Sequence, residues 1–286
     1  MLTPDMIAAD ALRVARVALA EDGDRDITSA VCVVAEQGGR GVIEAREGCV
    51  LAGRLYADAV VRMCGLPPVA WEAADGARIG AGSVAGTLDG SLRELLRAER
   101  SLLNLLQRAA GIATATRAYV DAVAGTTCRV LHTRKTTPGL RLFEVHAVLL
   151  GGGHLHRLDL ARTSMVKDNH WQALANNGRG LHAALADAMA RGVVSLQVEV
   201  VAVEQLDIAC AAGATRLLID NQTPATVHDW AGRARSLAPA IEIEATGGIT
   251  LTTVRDFALA GADFVSIGAL THSVRAVDLG LELRNH

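Results

Sequence analysis

One stretch of the chain concentrates positive charge. Seven lysine and arginine residues stand against two acidic residues between positions 129 and 167, although the whole chain has a net charge of -3. Five of the nine histidines also lie between positions 132 and 170. Cationic side chains are the usual partners of carboxylates and phosphates. The stretch therefore predicts a binding site for a ligand with several negative charges.

The two lysines of the chain, Lys135 and Lys167, both lie in this basic stretch, and every other basic side chain apart from histidine is arginine. Lysine carries a compact ammonium group on a flexible stem, whereas arginine carries a wide planar fork. A position that needs a small, movable charge does not accept the exchange. The pattern predicts that both lysines are functional.

Short β-branched runs alternate with helical stretches after Gln107. The candidate strands are residues 128–133, 164–169, 195–202, 216–220, 241–246 and 264–268, and the helical stretches lie around residues 180–191, 203–212, 224–235 and 251–260. Gly213 and Gly261 stand where helices of this kind end. This alternation indicates a parallel sheet, open or closed.

Polar residues and glycines collect where these strands end. They are His132, Arg134, Lys135, Lys167, Asp168, Glu199, Asp220, Glu244, Gly247, Gly248 and Gly268. Parallel α/β barrels have their active sites at the carboxyl ends of the strands, with phosphate-binding loops after the late strands. No GxGxxG motif follows the first strand, which argues against a dinucleotide-binding sheet. We therefore expect a parallel α/β barrel of six or seven strands, open or irregular.

The first 107 residues have a different pattern, with a leading helix, short strands and a turn-rich stretch before a long helix from about residue 91 to 116. We expect a smaller, sandwich-like N-terminal α/β domain over residues 1–107. The barrel then occupies residues 108–274. Residues 275–286 are predicted to form a C-terminal helix that packs back on the first domain.

Composition excludes several classes of protein. No apolar run approaches the ~20 residues that span a bilayer, and acidic residues occur throughout the leading segment, so we expect a soluble, cytoplasmic protein with no membrane partner. The five cysteines are widely spaced and form no CxxC pair, which predicts reduced thiols. The slightly negative net charge argues against a nucleic-acid partner.

A series of motifs resembles the quinolinate phosphoribosyltransferase family over nearly the whole chain. In chain order they are AERSLLNLLQRAAGIAT (98–114), TRKTTPGLR (133–141), GGGHLHR (151–157), MVKDNH (165–170), VEV (198–200), IDN (219–221), EATGGIT (244–250) and SIGALTHS (266–273). The resemblance implies transfer of a phosphoribosyl group from phosphoribosyl pyrophosphate to quinolinate with decarboxylation. The products would be nicotinate mononucleotide, pyrophosphate and CO2, a step of NAD biosynthesis.

The same resemblance implies a residue set for quinolinate. Arg134, His156, Arg157 and Lys167 would hold its two carboxylates, for which a forked guanidinium is a natural partner. Arg100 would reach the same ligand from the neighbouring subunit of a homodimer or a higher even oligomer. From the residues alone, Arg100 could equally belong to a solvated helix face.

For phosphoribosyl pyrophosphate the resemblance implies a second set. Lys135 would contact phosphate oxygens, and Glu199 and Asp220 would hold Mg2+ and the ribose hydroxyls, as hard oxygen ligands for a hard cation. Backbone amides at Gly247, Gly248 and Gly268 would meet the 5'-phosphate. Two alternatives from the residues are that Glu244 is a structural charge inside the barrel and that His154 and His156 bind zinc.

The chain departs from the family pattern in one place. Where the family usually has LEKYAVRCGGG, residues 143–153 are FEVHAVLLGGG, so that Val145, His146 and Leu149 replace a lysine, a tyrosine and an arginine. This change permits a related phosphoribosyltransferase-like enzyme with another anionic substrate. A separate alternative, of a different class, is a barrel that binds a metabolite without catalysis. The intact acidic pair and both lysines favour the enzyme.

Overall fold

The computed structural model describes residues 2–284 and separates into two compact units. The first unit comprises the described parts of Met1–Arg117, Thr136–Gly152 and Ala269–His286, and the second comprises Ala118–Lys135 and Gly153–Gly268. The predicted boundaries at residues 107 and 274 divide the chain into consecutive pieces. The observed first unit differs because it also contains residues 136–152, which interrupt the second unit in sequence.

The elements follow one another in this order. The helices are α1 (Pro4–Glu21), α2 (Ile27–Cys32), α3 (Arg54–Met63), α4 (Leu92–Ala122), α5 (Arg141–Leu150), α6 (Asp168–Asn176), α7 (Leu181–Ala190), α8 (Val203–Ala211), α9 (Pro224–Leu237), α10 (Val254–Leu259) and α11 (Ala269–His272). The strands are β1 (Gly38–Ala45), β2 (Cys49–Val50), β3 (Ala70–Trp71), β4 (Arg78–Ile79), β5 (Val84–Ser91), β6 (Arg129–Leu131), β7 (Thr163–Val166), β8 (Ser195–Val200), β9 (Arg216–Asp220), β10 (Glu242–Thr246), β11 (Phe264–Ser266) and β12 (Leu279–Arg284).

The first unit contains a four-stranded sheet in the order β12-β1-β5-β3 and a two-stranded sheet of β2 and β4. The prediction of a C-terminal helix is wrong for the described part of that segment, because residues 279–284 form β12, which pairs antiparallel with β1. Leu279, Leu281 and Leu283 alternate with other residues, and this period of two is the strand signal. Residues 285 and 286 lie outside the described part of the chain.

The second unit contains a six-stranded parallel sheet in the order β6-β11-β10-β9-β8-β7. β6, the first of these strands in the chain, pairs with β11, the last. This is the connectivity of an α/β barrel with one gap in its strand pairing, between β6 and β7, which we call the seam. An isolated parallel bridge joins Leu131 of β6 to His154 at this seam. All six predicted strands are present, and the α/β architecture with a smaller additional domain is confirmed.

Local sequence explains where the helices between these strands begin and end. Thr223 caps α9 by accepting a hydrogen bond from the backbone N of Thr226 at 3.2 Å, and Pro224 begins the helix. Gly213 and Gly261, which follow α8 and α10, have φ angles of 85° and 96°. Glycine adopts this left-handed conformation at little cost, so it ends a helix cleanly.

Two further sequence expectations concern the whole chain. All five cysteines are free thiols. Among the described residues, no helix combines the length and the apolar character that crossing a membrane requires.

Candidate active site

The carboxyl ends of the six parallel strands surround one cavity of about 650 Å³ in the second unit. Because parallel strands all end at the same edge of a sheet, residues distant in sequence meet there. The predicted site residues that line the cavity are Arg134, Lys135, His156, Arg157, Lys167, Glu199, Asp220, Gly247 and Gly248. Three residues that the sequence placed at strand ends without a ligand role also line it, namely His132, Asp168 and Glu244. The remaining lining residues were not singled out by the sequence: Thr133, Met165, Leu218, Asn221, Thr246 and Ser266.

Two predicted residues are placed elsewhere. Gly268 lies two residues beyond the end of β11 and is outside the set that lines the cavity. Arg100 belongs to α4 in the first unit, where its side chain is 62% exposed and lies 4.0 Å from Glu99. It borders a second cavity, formed by residues of the first unit. A role for Arg100 in the cavity of a neighbouring subunit stays a prediction.

Two guanidinium groups make one side of the main cavity strongly cationic. Burial lowers the pKa of Arg157, and the nearby positive charge of Arg134 lowers it further, although Glu244 and Glu199 act in the opposite direction. The Nε atom of Arg134 is buried and has no hydrogen-bond partner among residues 2–284. Because Arg134 lines the cavity, an acceptor on a bound ligand can satisfy this donor.

Lys167 and Glu199 form an ion pair between the ends of β7 and β8. The Glu199 side chain is only 10% exposed, whereas that of Lys167 is 41% exposed and reaches open space. The indole nitrogen of Trp171 donates to the backbone oxygen of Glu199 at 2.9 Å, and the backbone N of Lys167 donates to Nδ1 of His170 at 3.0 Å. The start of α6 therefore holds both members of the pair.

Glu244 lies inside the barrel with 1% exposure. Its carboxylate accepts a hydrogen bond from the Ser266 hydroxyl, contacts His156 Nε2 at 3.3 Å and pairs with Arg216 Nη1 at 3.2 Å. Burial alone would raise its pKa, but His156, Ser266 and Arg216 together hold the pKa below its ordinary value. These contacts agree with the alternative that Glu244 is a structural charge inside the barrel. Through its contact with His156, Glu244 also orients that imidazole at the cavity wall.

A hydrogen bond and a close backbone contact join the loops after β9 and β10. Asn221 has a φ angle of 54°, donates from its side chain to Asp220 Oδ2 at 2.7 Å, and donates from its backbone N to Thr246 O at 2.9 Å. A Cβ atom on Gly247, where φ is 84°, would lie 2.2 Å from Asn221 Oδ1 and 2.8 Å from its backbone N. Only glycine fits this position. The turn at Gly247 thus keeps Asp220 and Asn221 at the cavity edge.

This geometry predicts unequal costs for two neighbouring substitutions. Gly247→Ala should destabilise the fold by about 2 to 4 kcal/mol, because it adds a clash with backbone to a strained φ angle. Gly248→Ala should lower the free energy of unfolding by only about 1 kcal/mol. Gly248 has a φ angle of 60°, but no atom lies within 4 Å of the Cβ that alanine would add. Urea unfolding of both variants measures the difference. Equal free energies of unfolding for the two variants would contradict the assigned contact.

Glu199 and Asp220 are the acidic pair predicted to hold a metal, and they line the same cavity. Among the described residues, no three His, Cys, Asp or Glu side chains form a group that could hold a metal ion by themselves. Two carboxylates suit Mg2+, which usually keeps several waters and takes further oxygens from substrate phosphates. The donor set therefore fits a magnesium ion that arrives with a phosphorylated ligand.

The three departures from the family pattern lie on α5, in the first unit. Val145 is fully buried, and Leu149 is half-buried. Burial lowers the pKa of His146, whose ring centre is 6.1 Å from that of Tyr56. None of the three belongs to the set that lines the cavity. The substitutions therefore leave the residues of the cavity wall unchanged.

Comparison with known proteins agrees with this geometry. Models of the N-terminal and C-terminal domains of quinolinate phosphoribosyl transferase match residues 26–110 and 112–282. The nicotinate-nucleotide pyrophosphorylase [carboxylating] of Mycobacterium leprae is 40% identical over 266 residues, which are 90% of this chain and 91% of that protein.

Solved structures give the same result. The structure of NadC from Streptococcus pyogenes has a TM-score of 0.87 and 34% identity, with 100% of both chains covered. That of the nicotinate-nucleotide pyrophosphorylase from Francisella tularensis has a TM-score of 0.88 and 29% identity, with 97% of both chains covered.

Proposed function

The chain belongs to the quinolinate phosphoribosyltransferase family, and on that premise we propose how its own residues perform the reaction. It transfers a phosphoribosyl group from phosphoribosyl pyrophosphate to quinolinate with loss of CO2, in NAD biosynthesis. The observation that carries our assignment of roles is the cavity at the carboxyl ends of the strands, which nine of the predicted site residues line.

Quinolinate binds on the side of the cavity formed by Arg134, His156, Arg157 and Lys167. Its two adjacent carboxylates carry two negative charges at neutral pH and would neutralise the mutual repulsion of the two guanidinium groups. The buried Arg134 Nε has no partner among the described residues, and the Lys167 side chain, although paired with Glu199, is 41% exposed, so both can donate to carboxylate oxygens. A ligand with one carboxylate would leave part of this charge unpaired in a partly buried site, which is unfavourable.

Phosphoribosyl pyrophosphate binds towards Lys135, Glu199, Asp220 and the loop at Gly247 and Gly248. Gly247 and Gly248 line the cavity, and their φ angles of 84° and 60° form a turn whose backbone amides can bind phosphate oxygens. Glu199 and Asp220 would hold Mg2+, which when bound draws negative charge from the pyrophosphate leaving group. Lys135 adds a mobile positive charge for the same oxygens.

The reaction needs no protein nucleophile. The ring nitrogen of quinolinate forms a bond to the anomeric carbon of the ribose as the bond from that carbon to pyrophosphate breaks. The cations of the cavity stabilise the departing negative charge. The bond between C2 and its carboxylate then breaks, CO2 leaves, the electron pair is stabilised by the positively charged ring, and C2 takes a proton from solvent.

Removal of the metal is expected to abolish turnover without unfolding the protein. Excess chelator should lower the rate of nicotinate mononucleotide formation by roughly 10²-fold or more, because charge stabilisation at the leaving group is lost. The circular dichroism spectrum should not change, because the Glu199 carboxylate stays paired with Lys167 without the metal and Asp220 lies at the cavity edge. Added Mg2+ should restore the rate. Full activity in chelator would exclude the metal assignment.

We also propose that the protein is a homodimer, in which Arg100 of one subunit completes the cavity of the other. Ile27 and Val31 lie one helical turn apart on α2 and are 74% and 78% exposed, and Val34 is 67% exposed. Exposed apolar groups clustered in this way are typical of a surface that another protein covers. Arg25, Arg97 and Arg100 border the second cavity beside α2.

The free thiols support a reducing compartment such as the cytoplasm.

The alternative of a different anionic substrate has lost its main support. It depended on Val145, His146 and Leu149, which are absent from the cavity lining. A barrel that only binds a metabolite would not need an acidic pair beside two lysines. Incubation with quinolinate, phosphoribosyl pyrophosphate and Mg2+ decides among these functions, since nicotinate mononucleotide appears only if the proposed reaction occurs.

A further inference from the structure

Asn221 has an unusual backbone conformation. Among the described residues it is the one residue other than glycine with a positive φ angle, 54°. It follows Asp220, the last residue of β9, and only Gln222 separates it from Thr223, which caps α9. Asparagine tolerates the left-handed conformation better than most residues, but it is still less favourable there than in a strand or a helix. Such conformations persist where the surrounding structure imposes them, and they are frequent at functional sites.

The side chain of Asn221 joins two neighbours in the second unit. Its Nδ2 donates a hydrogen bond to Asp220 Oδ2 at 2.7 Å. At the other end of the amide, Oδ1 occupies the space that a side chain on Gly247 would need. The backbone N of Asn221 donates to Thr246 O at 2.9 Å, which fixes the residue against the end of β10. The amide is therefore held from one side and holds a carboxylate oxygen of Asp220 on the other.

This contact restricts the Asp220 carboxylate, which is half-buried at the cavity. With Oδ2 held by the amide, the carboxylate cannot rotate freely, and Oδ1 takes a defined direction. A carboxylate that binds a metal is commonly oriented by a hydrogen bond from a second residue, and loss of that residue weakens metal binding by about 10- to 100-fold. Because the amide of Asn221 is neutral, the negative charge of Asp220 stays available to a cation. Glu199, the other acid of the pair, is held by the ammonium of Lys167 instead.

We propose that Asn221 is a positioning residue that orients the Asp220 carboxylate for Mg2+. The inference rests on the proposed function, in which Asp220 holds the metal that accompanies phosphoribosyl pyrophosphate. Two competing explanations exist for the same contacts. Asn221 could serve only the turn between β9 and α9, or it could act only on the loop at Gly247 and Gly248. Neither of these roles makes the effect of Asn221 depend on Mg2+, whereas a positioning role does.

The test measures binding of phosphoribosyl pyrophosphate by calorimetry without quinolinate, once in excess Mg2+ and once in excess chelator. The ratio of the two Kd values is the metal effect. Asn221→Gly removes the amide, and glycine suits a φ angle of 54°. This variant should bind about tenfold more weakly in Mg2+. Its Kd in chelator should change less than about twofold. Its melting temperature should stay within about 4 °C of the wild-type value.

Gln222→Ala is the matched control. Gln222 is the next residue along the chain, and its Nε2 donates to the backbone oxygen of Asp220 at 3.2 Å, not to the carboxylate. The metal effect of this variant should equal that of the wild type. Two results would overturn the inference. One is an equal loss of the metal effect in Gln222→Ala, and the other is a Kd of Asn221→Gly that rises by the same factor in Mg2+ and in chelator.

Asp220→Ala separates the inference from the proposed function. It should lose the metal effect, and addition of Asn221→Gly should weaken binding in Mg2+ little further, because both changes act on one carboxylate. If Asp220→Ala keeps the metal effect, the proposed metal role of Asp220 is wrong, and the role of Asn221 is wrong with it. If Asp220→Ala loses the metal effect but Asn221→Gly keeps it, the inference alone is wrong and the proposed function stands.

Discussion

Replacing Arg157 with alanine is expected to lower kcat/KM for quinolinate by about 10³-fold. Loss of one partner from a buried charge pair costs about 2 to 5 kcal/mol, and about 4 kcal/mol corresponds to this factor. The guanidinium has lost part of its hydration through burial and lies beside a second positive charge at Arg134. It therefore gains more from a dianionic ligand than a solvated arginine would. Steady-state kinetics with both substrates varied gives the change.

Arg162→Ala is the matched control for this result. Arg162 lies in the same basic stretch, but it is exposed and outside the cavity lining, so its loss should change kcat/KM less than about twofold. Nicotinate, which lacks one carboxylate, should be a poor substrate of the wild-type protein. Arg157→Ala should narrow the preference for quinolinate over nicotinate. The assignment of Arg157 to a quinolinate carboxylate is wrong if Arg157→Ala and Arg162→Ala have the same activity.

Mixing two inactive variants is expected to restore up to about a quarter of wild-type activity. Arg100→Ala and Lys167→Ala should each be nearly inactive, since each removes a cation from every cavity of the proposed dimer. Random reassociation makes roughly half of the dimers mixed, and each mixed dimer has one cavity with both residues and one with neither. The quantity to measure is the rate after dissociation and reassociation of an equimolar mixture.

A second mixture tests whether the recovery has the proposed cause. Lys135 and Lys167 line the same cavity of one subunit, so mixing Lys135→Ala with Lys167→Ala should restore nothing. Each cavity of such a mixed dimer still lacks one lysine. If mass spectrometry detects mixed dimers of Arg100→Ala and Lys167→Ala but the rate does not recover, Arg100 acts in its own subunit or in no site.

The sequence alone predicted the strands of the barrel and assigned ligand-binding roles to nine of the eighteen residues that line its cavity. The six strands were predictable because each is a short apolar run between helical stretches, and this pattern is local. Once the strands are parallel, their carboxyl ends must share one edge, so Lys135, Lys167, Glu199 and Asp220 meet without further information. The left-handed turns at Gly213 and Gly261 were equally predictable, because the conformation belongs to the residue itself.

Only the tertiary structure decided the features that depend on partners distant in the chain. The segment 279–284 is a strand because β1 offers an edge to pair with, and a run such as LGLELR also suits a helix when that edge is unknown. Glu144 meets Arg108 and Thr137 only after residues 136–152 have joined the first unit, an assignment that periodicity does not encode. Burial and charge proximity at Arg134 and Arg157 arise in the same way. Local sequence patterns indicate which secondary-structure element a residue can belong to. Long-range packing determines which charged side chains lie next to it.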